Sequence, residues 1–402
     1  MRPRESRPPT RVAHLGLGAF HRSHQAWYTH RANQTGTGDG WGIASFGSRS
    51  RELADALNAQ DGVYTLLERS AAGDAATIIE SITATGVAGD DTWTATIANE
   101  DVEVLTVTVT EAGYRPGAQP PARIAAGLAA RHRAGGGALS VVSCDNLLGN
   151  GTALRAAVLA AAGDDAGWIA ENIAFVDTVV DRITPAVTDD DVRAVQTLTG
   201  EDDRVPVVCE PFSEWVIADA FAAGRPAWES AGAVLTADVT PYEERKLWLL
   251  NAGHTHLAAA GRLAGYETVD QAFADPVLRA ETEALWAEQR VIIDLAAGDV
   301  DIWLDELRTR FDNPRISHRL EQIARGSEHK IGPRLLAPLR ARERAGLAAG
   351  AAQLVAIDTW VRSIVELAPP DDAAAALAND LRDLPSASQR TEVLRRFAAE
   401  GD

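Results

Sequence analysis

Short apolar runs alternate with polar-faced segments over the first 237 residues of the chain. Runs such as RVAHLGL at 11–17 and VEVLTVTVT at 102–110 end in turn-forming or polar residues and predict buried strands. The predicted strands are 11–17, 41–46, 63–68, 76–85, 102–110 and 138–144, and the helices between them are 21–32, 50–60 and 121–134. Strands that alternate with helices are typical of a doubly wound, mostly parallel sheet.

The pattern changes near residue 237, where helical periodicity replaces the alternation. The predicted helices beyond that point are 241–265, 276–296, 318–324, 333–348 and 353–366. At 402 residues the chain is long enough for two domains. We therefore predict an α/β fold with a Rossmann-type dinucleotide-binding domain over 1–237 and a mostly α-helical substrate and catalytic domain over 238–402.

The composition narrows the class of partner. A net charge of −19 argues against nucleic acid and anionic membrane surfaces, because both would repel the chain. The two cysteines, Cys144 and Cys209, have no CxxC spacing, so neither a disulfide framework nor a zinc ribbon is expected. With no apolar run long enough for a membrane span, the expectation is a soluble cytoplasmic protein, monomeric or a small homo-oligomer, that binds a small molecule.

A glycine-containing turn follows the first predicted strand and opens a helix. Gly16 and Gly18 fit the first two positions of a dinucleotide turn, with Ala19 and Phe20 at the helix start, but the third glycine is missing. A tight turn without a ligand is the alternative. No acidic residue stands at the end of the second predicted strand to bind the ribose hydroxyls, and Arg49 could instead bind a 2′-phosphate. We therefore predict NAD and leave NADP open.

Only two of the 38 basic residues are lysines, Lys246 and Lys330. A buried lysine can lose its proton near neutral pH, whereas arginine cannot. On an α-helix with Lys246 at zero, Asn251 lies at about 140° and His254 at about 80°, so all three share a face. These residues suit alcohol oxidation, with Lys246 as the base, Asn251 as an amide donor and His254 orienting hydroxyls.

Asn146 follows a predicted strand, at the end where α/β folds place functional groups, and could supply a second donor. Each of these residues also has a structural alternative: His254 and His256 as packed core histidines, and Asn146 as a helix cap. A catalytic metal is not expected, because the spacing of His254 and His256 does not place two ligands on one helix face and no HExxH occurs.

Several motifs resemble those of the long-chain mannitol dehydrogenase family, whose N-terminal motif has GxGxFHRxHQ in place of the glycine triplet. The matching segments are GLGAFHRSHQAWYTH, TVTEAGY at 108–114, SCDNLLGNG at 143–151, VDRITP at 180–185, CEPFSEWVI at 209–217 and PYEERKLWLLNAGHTHLA. The resemblance implies a metal-independent, nicotinamide-dependent polyol or hexuronate dehydrogenase. It also implies a Rossmann-type domain, a helical domain and an active site between them.

The resemblance also implies roles for single residues. The family's K-x4-N-x2-H pattern falls on Lys246, Asn251 and His254, with the lysine as general base and Asn146 joining Asn251 at the oxyanion. Asp181 of VDR and Lys330 would lie near the substrate. The segment RFDNPRISHRLEQIARGSEHK at 310–330 departs from the family's QIAxDGSxK at 325–329, which leaves the substrate's identity open.

The predicted reaction is the interconversion of a polyol and its ketose, of the mannitol and fructose type. Mannonate with fructuronate, or mannitol 1-phosphate, are alternative substrates, and their anionic groups would need a cation such as Lys330, Arg334 or Arg182. An alternative of another class is a non-catalytic dinucleotide-binding regulator.

Overall fold

The computed structural model describes residue 1 and residues 6–36, 38–47 and 51–397. The chain forms two compact units, Met1–Val239 and Thr240–Asp402. The first unit contains the strands β1 Thr10–Leu15, β2 Gly42–Gly47, β3 Tyr64–Ser70, β4 Gly73–Ile79, β5 Ile82–Val87, β6 Val104–Val107, β7 Leu139–Ser143, β8 Ile173–Val176, β9 Thr178–Asp181, β10 Val207–Cys209, β11 Glu214–Ala218 and β12 Val234–Thr236. Its helices are α1 Ala19–Ser23, α2 Gln25–Thr35, α3 Glu52–Asn58, α4 Asp91–Ala98, α5 Gln119–Arg133, α6 Asn150–Ala161, α7 Ala166–Asn172 and α8 Asp189–Thr199.

A six-stranded sheet in the order β5-β2-β1-β6-β7-β8 forms the centre of the first unit, and each of its strand pairs is parallel. Alternate residues of β1 enter different cores: Val12 packs on one face, and Ala13 and Leu15 pack on the other. A parallel sheet needs both faces covered, which explains its near-continuous apolar strands. The predicted doubly wound α/β fold is confirmed.

Two small sheets, β10-β3-β4 and β12-β11-β9, complete the first unit. The predicted strand 76–85 is two strands: β4 pairs with β3 in a small sheet, and β5 pairs with β2 in the main one. The chain changes sheets at Ser81, whose Oγ donates to the carbonyl of Ala26 at 2.7 Å. Because both pieces are apolar and β-branched, their composition did not reveal the change of sheet.

Two other predicted elements differ in the structure from the sequence pattern: one is divided and the other is shorter. The predicted helix 21–32 divides at His24, which leaves the helical region with φ −119° and ψ −88°. Its Nε2 hydrogen-bonds to the carbonyl of Glu214 at 2.9 Å. The predicted strand 102–110 is restricted to β6, because the backbone N–H groups of Val109 and Thr110 turn to the carboxylate of Asp145.

The second unit is helical. Its helices are α9 Thr240–Arg245, α10 Ala252–Ala264, α11 Val269–Ala274, α12 Pro276–Gln289, α13 Ala297–Phe311, α14 Leu320–Ala324, α15 Ala337–Arg344, α16 Ala351–Glu366, α17 Asp372–Arg382 and α18 Ser386–Arg396, with π-helical turns at Lys246–Asn251 and Gly332–Leu336. Helix α10 is central and packs against α11, α12, α14 and α16. Gly253 and Gly261 permit this packing, since a Cβ would lie 2.9 Å from the Trp286 indole nitrogen and 2.6 Å from Leu320.

Among the described residues, no helix is both long and apolar enough to cross a membrane.

Candidate active site

The turn after β1 requires glycine at its first position. Gly16 has φ +120°, and a Cβ there would lie 2.0 Å from the carbonyl oxygen of Thr108. The N–H groups of Gly16 and Leu17 both donate to the carbonyl of Phe46, at 2.9 and 3.1 Å. These bonds close the turn between β1 and α1 and hold it against the end of β2.

Gly18 differs from Gly16, because the fold itself does not need a glycine there. Its backbone is extended, with φ −139° and ψ −174°, and a Cβ would meet only the Gly16 carbonyl oxygen, at 3.6 Å. The space at Gly18 therefore fits a close approach by a pyrophosphate, which is the role of the second glycine in such turns. Ala19 and Phe20 follow at the start of α1. Arg49, the residue predicted for a 2′-phosphate, lies outside the described residues.

The two glycines should respond differently to alanine. We expect Gly18→Ala to fold with an unchanged melting temperature and to weaken NADH binding roughly tenfold, about 1.4 kcal/mol, because its methyl group enters the pyrophosphate space. Gly16→Ala should lower the melting temperature, since its methyl group collides with Thr108. Thermal unfolding and NADH fluorescence titration measure both. An unchanged NADH affinity in Gly18→Ala would contradict this placement of the cofactor.

Two buried histidines stack beneath the turn. The rings of His14 and His21 lie 3.4 Å apart, centroid to centroid, at 9°. His14 hydrogen-bonds to the hydroxyls of Thr106 and Thr108, at 2.8 and 3.1 Å, and His21 to that of Ser45, at 2.9 Å. Burial lowers the pKa of His14 to about 3, and burial together with the nearby His14 lowers that of His21 well below its usual value.

Both histidines are thus neutral in the folded protein at neutral pH, whereas an unfolded chain binds protons near pH 6.5. The free energy of unfolding that these neutral histidines contribute should be fully present above pH 6.5. It should fall as the pH drops toward 3, because the unfolded state then binds more protons than the folded state. At pH 5 the cost is about 2 kcal/mol per histidine. Urea unfolding of wild type and His14→Gln at pH 7 and 5 measures it. The loss between the two pH values should be smaller by about 2 kcal/mol in His14→Gln; an equal loss would contradict the assignment.

Asn146 and Asp181 belong to the first unit. Asn146 lies three residues beyond β7 and is exposed, at the edge of the main sheet where β1 and β6 also end. It does not cap α6, whose N-cap is Gly149, so the structural alternative for Asn146 is wrong. Asp181 is the buried last residue of β9, in the small sheet with β11 and β12.

Lys246 and Asn251 are the first and last residues of a π-helical turn, not part of an α-helix. Five α-helical residues would leave them about 140° apart. In a π turn the backbone hydrogen bonds join residues i and i+5, so the same spacing brings the two side chains onto one stripe. The π turn therefore places the two positions nearer to one face than the 140° of an α-helix would. Both are buried, at 8% and 7% exposure.

Side chains from neighbouring elements satisfy carbonyls of this wide turn. The indole N–H of Trp286 donates to the carbonyl of Leu249 at 2.9 Å, and the hydroxyl of Thr255 donates to that of Asn251 at 2.9 Å. The second π turn, Gly332–Leu336, packs against the first, and its Arg334 donates to the Thr255 hydroxyl at 3.2 Å. Among the described residues, the side-chain nitrogen of Asn251 is buried and has no hydrogen-bond partner. It is a donor available to a ligand oxygen.

His254 is buried one helical turn beyond Asn251. Its ring stacks on Phe311 at 4.7 Å and meets the edge of His318 at 4.9 Å. Burial lowers the pKa of His254 well below its usual value, and the nearby His318, Arg310 and Arg334 lower it further. The ring is neutral at physiological pH, so it can exchange hydrogen bonds with hydroxyls but does not act as the acid.

The structure gives two of the candidate cations other partners. The Lys330 ammonium donates to the carbonyls of Ile323, at 3.2 Å, and Arg325, at the end of α14. The nitrogens of Arg182 bind the carbonyls of Ser23 and Glu210 and the carboxylate of Glu68. Arg182 therefore has its charge matched within the first unit. Substrate binding by Lys330 stays a prediction.

Several residues around the site had no predicted role. They are Thr255, Trp286, Arg310, Phe311 and His318. Arg310, Phe311 and His318 belong to the RFDNPRISHR segment, but nothing in the pattern linked that segment to His254. In the described part of the chain, no three His, Cys, Asp or Glu side chains gather as a metal site.

Two family models match most of the chain. The mannitol dehydrogenase Rossmann domain matches residues 10–230, and the mannitol dehydrogenase C-terminal domain matches residues 238–379. The chain belongs to the mannitol dehydrogenase family. The resemblance predicted from the motifs is thereby confirmed.

Relatives within the mannitol dehydrogenase family act on different alcohols, according to their names. D-mannonate oxidoreductase of Escherichia coli is 36% identical over 370 residues, covering 83% of this chain and 76% of the relative. D-arabinitol 4-dehydrogenase of Ralstonia nicotianae is 37% identical over 363 residues, covering 81% and 77%. Pseudomonas fluorescens mannitol 2-dehydrogenase, solved with NAD and D-mannitol, superimposes with a TM-score of 0.79 at 29% identity, covering 100% of this chain and 94% of that one.

Proposed function

We propose that this protein is a metal-independent, NAD-dependent oxidoreductase that interconverts a polyol or hexonate with the corresponding ketone by hydride transfer. The observation that carries the proposal is the π turn that aligns Lys246 with Asn251, whose amide nitrogen has no partner among the described residues. A binding protein would have no use for a base aligned with an amide donor. The names of the family relatives support the same reaction class.

In the proposed reaction, Lys246 as a neutral amine accepts the hydroxyl proton while hydride leaves the same carbon. Lys246 is buried, so the proposed transfer takes place away from bulk water. In the reverse direction the Lys246 ammonium returns the proton to the alcohol oxygen. The amide of Asn251 donates to that oxygen as negative charge develops on it. Asn146 is the proposed second donor, and neutral His254 orients a neighbouring hydroxyl.

The bound nicotinamide supplies or accepts the hydride. Gly16 and Gly18 fit such a cofactor: Gly16 forms the turn, and Gly18 leaves the space that a pyrophosphate needs. We assign NAD because the matched mannitol 2-dehydrogenase was solved with it. NADP is the alternative, since β2 contains no acid.

The substrate is proposed as an open-chain polyol, ketose or hexuronate. Asp181 and Lys330 are proposed substrate contacts carried over from the family motifs. The cytoplasmic location, and a monomeric or small homo-oligomeric state, remain predictions from the sequence.

An oxidation assay with NADH and with NADPH against fructose, fructuronate, tagaturonate and fructose 6-phosphate tests the proposal. We expect turnover of one ketone with NADH, and the preferred ketone identifies the substrate. Preference for NADPH would correct the cofactor and leave the reaction class in place. Measurable NADH binding without turnover of any ketone would favour the regulator.

A further inference from the structure

The loop after β6 contains a residue in a strained backbone conformation. Thr110 has φ 67° and ψ 163°, a region that glycine populates and that residues with a Cβ avoid. Among the described residues other than glycine, only Asp61, Thr110 and Ser317 have positive φ. Such a conformation persists only where surrounding groups hold it, and it is commonest at functional sites.

The carboxylate of Asp145 holds this loop. It accepts the backbone N–H of Thr110 at 2.7 Å on one oxygen, and that of Val109 at 3.0 Å on the other. The phenol of Tyr114 donates to the same carboxylate at 2.7 Å and also contacts the hydroxyl of Ser143 at 2.5 Å. Asp145 is 7% exposed, so these charge-assisted bonds form away from bulk water and fix the loop firmly.

The strained loop lies where a dinucleotide fold binds its ligand. Strands β1 and β6 are neighbours, and the strand order reverses between them, which places the ligand crevice outside their carboxyl ends. The N–H of Thr108 donates to the carbonyl of Leu15 at 2.8 Å, and its hydroxyl donates to that of Gly16 at 3.0 Å. The loop after β6 therefore packs directly against the glycine turn.

Asp145 also immediately precedes Asn146, the proposed oxyanion donor. One carboxylate thus joins the loop after β6 to the loop after β7. A displacement of either loop would shift the other through these hydrogen bonds, because the loops share a single buried acceptor group.

We propose that Asp145 is a positioning residue that holds Thr110 in its strained conformation, so that the loop after β6 is pre-formed to receive the dinucleotide. The inference rests on the proposed function, since it assumes that a dinucleotide binds at this crevice. Asp145 acts through the loop and does not take part in the chemistry.

The test is NADH binding by fluorescence titration, with melting temperatures in parallel, for wild type, D145N, Y114F, T110G and D145N/T110G. In D145N an amide replaces an acceptor oxygen, and we expect the Kd for NADH to rise roughly tenfold. Y114F removes one of the three bonds to the Asp145 carboxylate, together with the contact to Ser143, and should raise the Kd about two- to threefold. Glycine adopts the Thr110 conformation without strain, so D145N should cost less affinity in the T110G background than in wild type.

The T110G comparison separates positioning from a general structural role. If Asp145 only stabilised the unit, D145N would weaken NADH binding equally in both backgrounds, and this result would overturn the inference. An unchanged Kd in D145N would do the same. Should D145N fail to fold, Y114F decides: a wild-type Kd refutes the proposal, and a raised Kd at an unchanged melting temperature supports it. Wild type that binds neither NADH nor NADPH would overturn the proposed function, and this inference with it.

Discussion

Lys246→Ala is expected to lower kcat for ketone reduction by about 10²- to 10⁴-fold, the usual range for loss of a general acid or base. The variant lacks the amine that exchanges the proton of the reacting oxygen. Lys246 lies in the helical unit and is separate in sequence from the glycine turn. The Kd for NADH should therefore stay within about twofold of the wild-type value. The corresponding change in binding free energy is well below the 1.4 kcal/mol of a tenfold change.

Lys246→Arg is the matched control, because it keeps the positive charge and cannot deprotonate at neutral pH. If proton transfer is the role of Lys246, the arginine variant should be nearly as inactive as the alanine variant. Steady-state kinetics with the ketone identified by the assay above measure both. Wild-type turnover in either variant would exclude Lys246 as the base.

Arg131→Met should cost about 3 kcal/mol or more of unfolding free energy, because a buried carbonyl left without its donor costs about 1 to 3 kcal/mol. The Arg131 side chain is 1% exposed. Its nitrogens donate to five backbone carbonyls, those of Ile97, Asn99, Val102, Gly137 and Ala138. These carbonyls lie at the end of α4 and before β6 and β7. Methionine fills the space and leaves the carbonyls without their donor.

The neighbouring Arg133 is exposed, and Arg133→Met supplies the control. A surface change of this kind should stay within about 0.5 kcal/mol of wild type. Urea unfolding of both variants measures the difference. Equal stability of Arg131→Met and Arg133→Met would mean that water replaces the guanidinium at the five carbonyls.

The main features of the first unit could be predicted because they depend on local signals. The strand before Gly16, the glycine turn and the alternation of strands and helices each leave a pattern within about ten residues, the length over which such periodicity is read. The small sheets left no such local pattern. Strands β4 and β5 have the same apolar, β-branched character and differ only in which strand they pair with.

In the candidate site, too, the features with a local sequence signal were predicted, and those that depend on distant contacts were not. Lys246 was predicted from the scarcity of lysine and from its neighbours, but the π turn that aligns it with Asn251 was not. That turn depends on distant side chains, Trp286 and Arg334, which support it directly or through Thr255. Likewise, the strain at Thr110 arises from Asp145 on another strand end. Periodicity within one segment cannot report such long-range contacts.

The central claim is that Lys246 and Asn251 act as one catalytic unit, and a double-mutant cycle tests it most directly. The measurement is kcat/KM for ketone reduction by wild type, Lys246→Ala, Asn251→Ala and the double variant. Residues that act as a unit are strongly non-additive. We predict that the double variant loses about as much activity as Lys246→Ala alone. Losses that multiply, or wild-type turnover in either single variant, would contradict the claim.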